Sequence, residues 1–173
     1  MTIQIRDATA ADQDWVLRTN NEALPDVNAL SADDLKDLIE MACYFRVADN
    51  DGEPAGFLLA MNAEADYQSP NYQWFKQRYP EFVYIDRVVV ARRFRGVGVG
   101  RVFYADIQSY AEALVPCLTC EVNLEPPNDV SLLFHGTNGF VEVGQQKVDA
   151  KRVSLLMKAL PSYEFVQSRY GGG

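Results

Sequence analysis

Ile3-Gln4-Ile5-Arg6 alternates apolar and polar residues, the period of two expected of a half-buried strand. The spacing then lengthens. Residues 10–22 read as a helix with Trp15, Val16 and the following Ala23 as apolar anchors, and Pro25 closes it. Leu35, Leu38, Ile39 and Ala42 make a second helical stripe. Ser31 precedes it and Asp34 follows three residues later, an approximate capping box. Residues 44–48 and 55–60 read as strands around Asn50-Asp51-Gly52, a strong hairpin signal. Residues 61–81 read as an irregular, aromatic-rich connection. Residues 82–90 are a β-rich run that leads through Gly96, Gly98 and Gly100 into a helix over 99–114. Residues 118–124 read as another strand, and Pro126-Pro127 breaks the chain. Asn128 or Asp129 caps a helix that ends at Asn138-Gly139. Residues 140–148 and 153–160 complete the pattern as two strands.

The strand-helix-strand-helix order of the second half predicts a partly parallel centre, and the hairpins predict antiparallel edges. The chain's 173 residues suit one domain. No repeat, low-complexity linker or composition break divides it. One α/β (α+β) domain over residues 3–160 is therefore expected, with residues 161–173 as a C-terminal tail whose closing glycines fray.

Composition narrows the class further. With 48% hydrophobic and 23% charged residues the chain is globular, not fibrous or wholly disordered. A formal charge of −8 opposes binding to nucleic acid and anionic lipid, so neither is an expected partner. The charge is uneven. Arg92, Arg93, Arg95 and Arg101 form an island without acids, and the remainder holds 12 basic against 24 acidic residues. Cys117 and Cys120 have CxxC spacing, but they fall in a strand whose period turns them to opposite faces. The single histidine, His135, gives zinc too few ligands, so buried thiols and no metal are expected. The first residues lack a signal-peptide core, and no apolar run approaches about 18 residues. A cytoplasmic protein is expected.

The stretch Val88 to Arg101 carries the chemistry. A strand runs through three alternating glycines into a helix start, flanked by arginines. Glycines allow close backbone approach, and a helix N-terminus offers unpaired amides, so a phosphate or pyrophosphate is the natural ligand. A Walker A loop fails because Arg101-Val102 stands where Lys-Ser/Thr is needed. A GxGxxG fingerprint fails at Arg101 or at Phe103, depending on the starting glycine. The pattern Q/R-x-x-G-x-G/A fits Arg95, Gly98 and Gly100.

With these residues the sequence resembles the GNAT superfamily of acyl-CoA-dependent N-acetyltransferases. Val88, Val90, Arg95, Gly96, Gly98 and Gly100 match its L-x-V…R-G-x-G-x-G motif, with Arg92 in place of the usual proline. Asn128, Ser131, Phe134, His135, Gly139 and Phe140 match a second motif downstream. The resemblance implies a GNAT fold, a mixed sheet of about six or seven strands flanked by about four helices. It also implies acetyl-CoA as cosubstrate. The amides of Arg95, Gly96, Val97, Gly98, Val99, Gly100 and Arg101 would hold the CoA pyrophosphate. Val88, Val89 and Val90 would pair with pantetheine and aim an amide at the thioester carbonyl. Asn128 would touch the pantetheine arm, with Ser131 and Phe134 beside it.

The implied reaction is attack of a small-molecule primary amine on acetyl-CoA, which needs an acid and a base. The family's usual tyrosine position holds His135, which would donate to the departing sulfur or serve only as a cap or core residue. Tyr84, Asp86, Val88 and Val90 share one strand face by period two. Tyr84 and Asp86 join His135 as catalytic candidates. Asp86 would relay a proton from the amine, directly or through water, or else pair with Arg87 or another arginine, and Glu121 is a second candidate base. The rings Tyr67, Tyr72, Trp74, Phe75 and Tyr79, with Glu64, Asp66 and Glu81, would suit an ammonium-bearing substrate. Equally, they would pack the loop onto the sheet or onto a second copy in a homodimer. A GNAT-like module that binds acyl-CoA without catalysis is the alternative function.

Overall fold

The computed structural model describes residues 1–171. Gly172 and Gly173, two of the glycines expected to fray, lie outside them. Seven strands form one mixed sheet in the order β1-β2-β3-β4-β5-β7-β6. They are β1 (Ile3–Asp7), β2 (Tyr44–Asn50), β3 (Glu53–Asn62), β4 (Val83–Val90), β5 (Cys117–Glu125), β6 (Val141–Val148) and β7 (Lys151–Ala159). The described residues also hold six α-helices: α1 (Gln13–Glu22), α2 (Ala32–Met41), α3 (Pro70–Lys76), α4 (Val99–Ala111), α5 (Asp129–Thr137) and α6 (Ser162–Tyr170). Contacts divide the chain into two compact units, residues 1–61 with 85–107 and residues 62–84 with 108–171.

In the first unit β1 lies antiparallel to β2 from Ile3↔Asn50 to Asp7↔Arg46. The β2–β3 hairpin turns on Asp51 and Gly52, at φ of 51° and 85°. Both central residues thus take the positive φ that a tight hairpin requires, as Asn50-Asp51-Gly52 predicts. Val16, Leu35, Val47, Phe57 and Val89 are buried together as the core. Ser31 Oγ accepts the Asp34 N–H at 3.0 Å and Asp34 Oδ2 accepts the Ser31 N–H at 2.8 Å, so the capping box starts α2. Arg6 bridges Asp12 and Asp49 at 2.9 and 2.7 Å.

In the second unit Val83 and Tyr84 pair in parallel with Leu118 and Thr119, and β7 lies antiparallel to both β5 and β6. Two elements differ from expectation. The connection over 61–81 is not irregular throughout, because it contains α3. Pro70 stands at the helix start, and Tyr72 and Phe75, one turn apart, are fully buried. Trp74 reaches strand β6, where a register shift brings Gly144 against its ring. A Cβ at Gly144 would lie 2.5 Å from Trp74 Cζ2. The segment expected as a tail holds α6, which buries no residue and so carries no apolar stripe for sequence to reveal. Cys117 and Cys120 are buried, and burial pushes the Cys117 thiol up to about 11 and Cys120 well upward. Both are held as protonated thiols. No helix of the described residues is long and apolar enough to cross a membrane.

Candidate active site

In the first unit, burial alternates from Ile85 to Val90. Ile85, Arg87 and Val89 are buried, while Asp86, Val88 and Val90 are only partly covered as residues. The period of two is therefore kept along this stretch of β4. Past its end the Ala91 N–H still bonds Ala55 O at 2.8 Å, and Arg92–Phe94 winds one short 3-10 turn. Gly96 and Gly98 then take φ of +77° and +97°, which L side chains rarely adopt. Apart from the adjoining residues of the chain, no atom lies within 4 Å of where a Cβ would sit at either glycine. The glycines therefore serve backbone conformation, and the space beside them is open to a ligand.

Helix α4 starts immediately after. Its first ladder bond runs from the Val102 N–H to Gly98 O at 3.1 Å. The amides of Val99, Gly100 and Arg101 stand ahead of that ladder, at the positive end of the helix dipole. The first turn has no acidic residue and contains the exposed Arg101, the opposite of what the dipole favours. A bound anion resolves both features. Val99 and Phe103 are buried and anchor the turn, while Val97 is exposed.

The arginine island divides by role. Arg93 pairs with Glu53. Arg95 donates from Nε to Val90 O at 3.2 Å. Arg92 and Arg95 line a cavity of about 290 Å³ with Thr19, Glu22, Ala23, Val90 and Ala91. Geometry and charge together fit a diphosphate at residues 95–101.

Asp86 lies close by in sequence but is drawn elsewhere. Its side chain is 4% exposed, and Oδ2 accepts from Arg87 Nε at 2.7 Å. Arg87 Nη1 also donates to Asn20 Oδ1 at 2.9 Å and to Asn28 O at 3.3 Å. This buried network joins β4 to α1 and to the segment after it; the Asp86–Arg87 pair was an expected alternative, and sequence reasoning missed its extension to Asn20 and Asn28. The one signal was Asn20-Asn21 inside a helix, where asparagine is a poor former without a partner.

In the second unit Tyr84 is fully buried, and its hydroxyl donates to Glu121 Oε2 at 2.5 Å. The parallel register sets this up. Tyr84 pairs with Thr119, and Glu121 is the next residue on the same face of β5. Tyr72 and Phe75 pack on the Tyr84 ring at 5.5 and 6.0 Å. Most rings of the connection therefore pack the segment onto the sheet.

Asn128 caps α5, accepting the Ser131 N–H on Oδ1 at 3.3 Å. Phe134 is partly buried and meets His135 edge-on at 5.5 Å. His135 is 4% exposed, and its Nδ1 lies 2.7 Å from Ser131 O. A carbonyl only accepts, so Nδ1 carries the proton. Burial pulls the imidazole pKa below its ordinary value. A neutral ring protonated at Nδ1 presents an acceptor, not a donor, at Nε2.

The structure thus gathers Val90 and Arg95 at the cavity and Gly96 to Arg101 at the helix start. It joins Tyr84 to Glu121, gives Asp86 to Arg87, and sets Asn128, Ser131, Phe134 and His135 along α5.

A model of the acetyltransferase (GNAT) family matches residues 11–140. A search of curated proteins finds no match. Among solved structures, Ard1 from Thermoplasma volcanium has a TM-score of 0.73 at 19% identity, covering 92% of this chain and 99% of that one. Naa20 from Chaetomium thermophilum, in complex with a bisubstrate analogue, has a TM-score of 0.72 at 17% identity, covering 94% and 89%. The ribosomal-protein-S18-alanine N-acetyltransferase from Escherichia coli has a TM-score of 0.70 at 13% identity, covering 92% and 94%. At these identities the likeness is one of fold.

Proposed function

The chain belongs to the acetyltransferase (GNAT) family, and from that premise we propose that it transfers an acetyl group from acetyl-CoA to the primary amine of a small, cationic molecule. The observation that carries the donor half is the helix start, where Gly96 and Gly98 hold positive φ with open space beside them. The amides from Arg95 to Arg101 bind the diphosphate, with Arg92 and Arg95 adding charge. The backbone of Val88 to Val90 orients the pantetheine arm and directs an amide toward the carbonyl oxygen. Acetyl-CoA, when bound, supplies an activated thioester carbonyl and a thiolate leaving group.

Proton removal from the amine falls to Glu121. The Tyr84 hydroxyl donates to its Oε2 and orients the carboxylate for proton transfer. Asp86 is the weaker base, being held by Arg87. His135 in the tautomer described has no Nε2 proton to give, so its role is to fix α5.

The support for a cationic acceptor is charge alone. With the arginine island set aside, 12 basic residues face 24 acidic ones, which favours a cation. One structural neighbour, named a ribosomal-protein-S18-alanine N-acetyltransferase, points to a wider choice. Peptides with free amino termini therefore belong in the same assay.

Thermal shifts with acetyl-CoA, CoA and NAD test the donor, and free CoA release across small amines and peptides tests the acceptor. Stabilisation by both CoA compounds and not NAD is expected, and no shift with saturating acetyl-CoA defeats the reading. Gly98→Leu should abolish that shift while the fold persists. His135 in place of tyrosine favours one second reading, an acyl-CoA-binding module without catalysis. Stabilisation by acetyl-CoA with no CoA release from any amine would establish it.

A further inference from the structure

The segment between β3 and β4 uses its rings in two ways. Tyr72 and Phe75 are core. Trp74 fills the notch at Gly144, with the Arg78 guanidinium 4.0 Å above its ring. Tyr79 packs on Phe75 at 6.2 Å. Tyr67 is different. It precedes α3 and is only partly buried. Its ring lies 5.5 Å from Tyr72 and 6.5 Å from Tyr84. Tyr84 is the residue whose hydroxyl holds Glu121. Tyr67, Tyr84 and Glu121 are therefore consecutive in contact.

The placement of Tyr67 is fixed from α3. Gln73 Nε2 donates to Tyr67 O at 2.7 Å, and Gln146 Nε2 ties Asn71 to β6 at 3.0 Å. An aromatic face near a carboxylate attracts an ammonium ion and gives nothing comparable to a neutral group. The same ring cluster already engages one ammonium. Lys76 Nζ sits 5.8 Å from the Tyr72 centroid and donates to Ala65 O at 3.0 Å. Glu64 and Asp66, both exposed, flank Tyr67 with further negative charge.

We propose that Tyr67 is a specificity-determining residue, selecting acceptors that arrive as ammonium ions beside Glu121. This rests on the reading of Glu121 as the proton acceptor. The selection comes from the ring face and not from the phenol hydroxyl, so phenylalanine replaces Tyr67 and leucine does not.

The test uses benzylamine, charged at pH 7.5, as acceptor, and benzyl alcohol, its uncharged near-isostere, added as a competitor against it. Tyr67→Leu should raise the KM for benzylamine about tenfold, within the range of a cation–π contact. It should leave kcat, the acetyl-CoA KM and the benzyl alcohol Ki within about twofold, and Tyr67→Phe should restore the benzylamine KM. An equal loss for amine and alcohol, or no loss for either, overturns the proposal. The acetyl-CoA thermal shift verifies that each variant is folded. Glu121→Gln separates the two readings. Full turnover in that variant removes Glu121 as the base, while the amine-to-alcohol ratio in the Tyr67 variants still decides the selection.

Discussion

Glu121 gains its proposed role from one bond. The Tyr84 hydroxyl, 2.5 Å from Oε2, comes from a ring packed on both Tyr72 and Phe75, so the carboxylate is oriented by the core and not by solvent. Glu121→Gln keeps the shape and removes the proton acceptor. It should lower kcat about 10²–10⁴-fold in steady-state assays, with the KM for acetyl-CoA unchanged. His135 tests the opposite case. In His135→Asn the side-chain amide replaces the Nδ1–H donor, and turnover should stay within about threefold of the native enzyme; a loss of about 100-fold would restore it as the acid. Its burial also sets a pH dependence. The folded pKa is lowered, so charging the ring opposes folding. The stability tied to the neutral ring is complete above about pH 6.5 and falls as pH drops below it. Melting temperatures measured downward from pH 7 should show that decline, and His135→Asn should flatten it.

The elements most legible in the sequence were those with local signatures. Asp51-Gly52 specifies a hairpin within four residues, and Ser31 with Asp34 specifies a helix start within one turn. Helix α3 was not legible, because its seven residues carry too few periodic apolar positions, and Pro70 reads as a breaker as readily as a first helical residue. The same limit applies to the site. The glycines and arginines that hold an anion are contiguous, so they could be read directly. The Tyr84–Glu121 bond joins residues 37 apart, and only the parallel register of β4 and β5 shows it. At this scale Gly144 is the most exposed to test. A methyl there would enter the Trp74 ring at 2.5 Å, and both neighbours are held by hydrogen-bonded elements. Gly144→Ala should destabilise the protein by about 1–3 kcal/mol in urea unfolding, with a change in tryptophan emission. An unaltered midpoint would mean that the ring moves aside at no cost.

Across the whole molecule the charge imbalance and the division into units come from different parts of the chain. The four arginines of the island lie in the first unit, which leaves that unit locally able to take an anion within an acidic protein. Neither unit is a continuous stretch. The chain leaves the first after Met61, returns at Ile85 inside β4, and leaves again after Ile107 inside α4. No linker composition marks those crossings, which is why the sequence reads as undivided. The three cysteines divide along the same lines. Cys43 belongs to the first unit and is partly buried, whereas Cys117 and Cys120 belong to the second and lie inside β5 at 5% and 3% exposure. A thiol-specific dye should therefore label one sulfur of the native chain promptly. The other two should follow only as fast as the second unit opens, and faster with added urea. Release at a single rate for all three would contradict the burial. The native protein is in this respect its own stopwatch, carrying a handle for a fluorophore in one unit and two built-in reporters of breathing in the other.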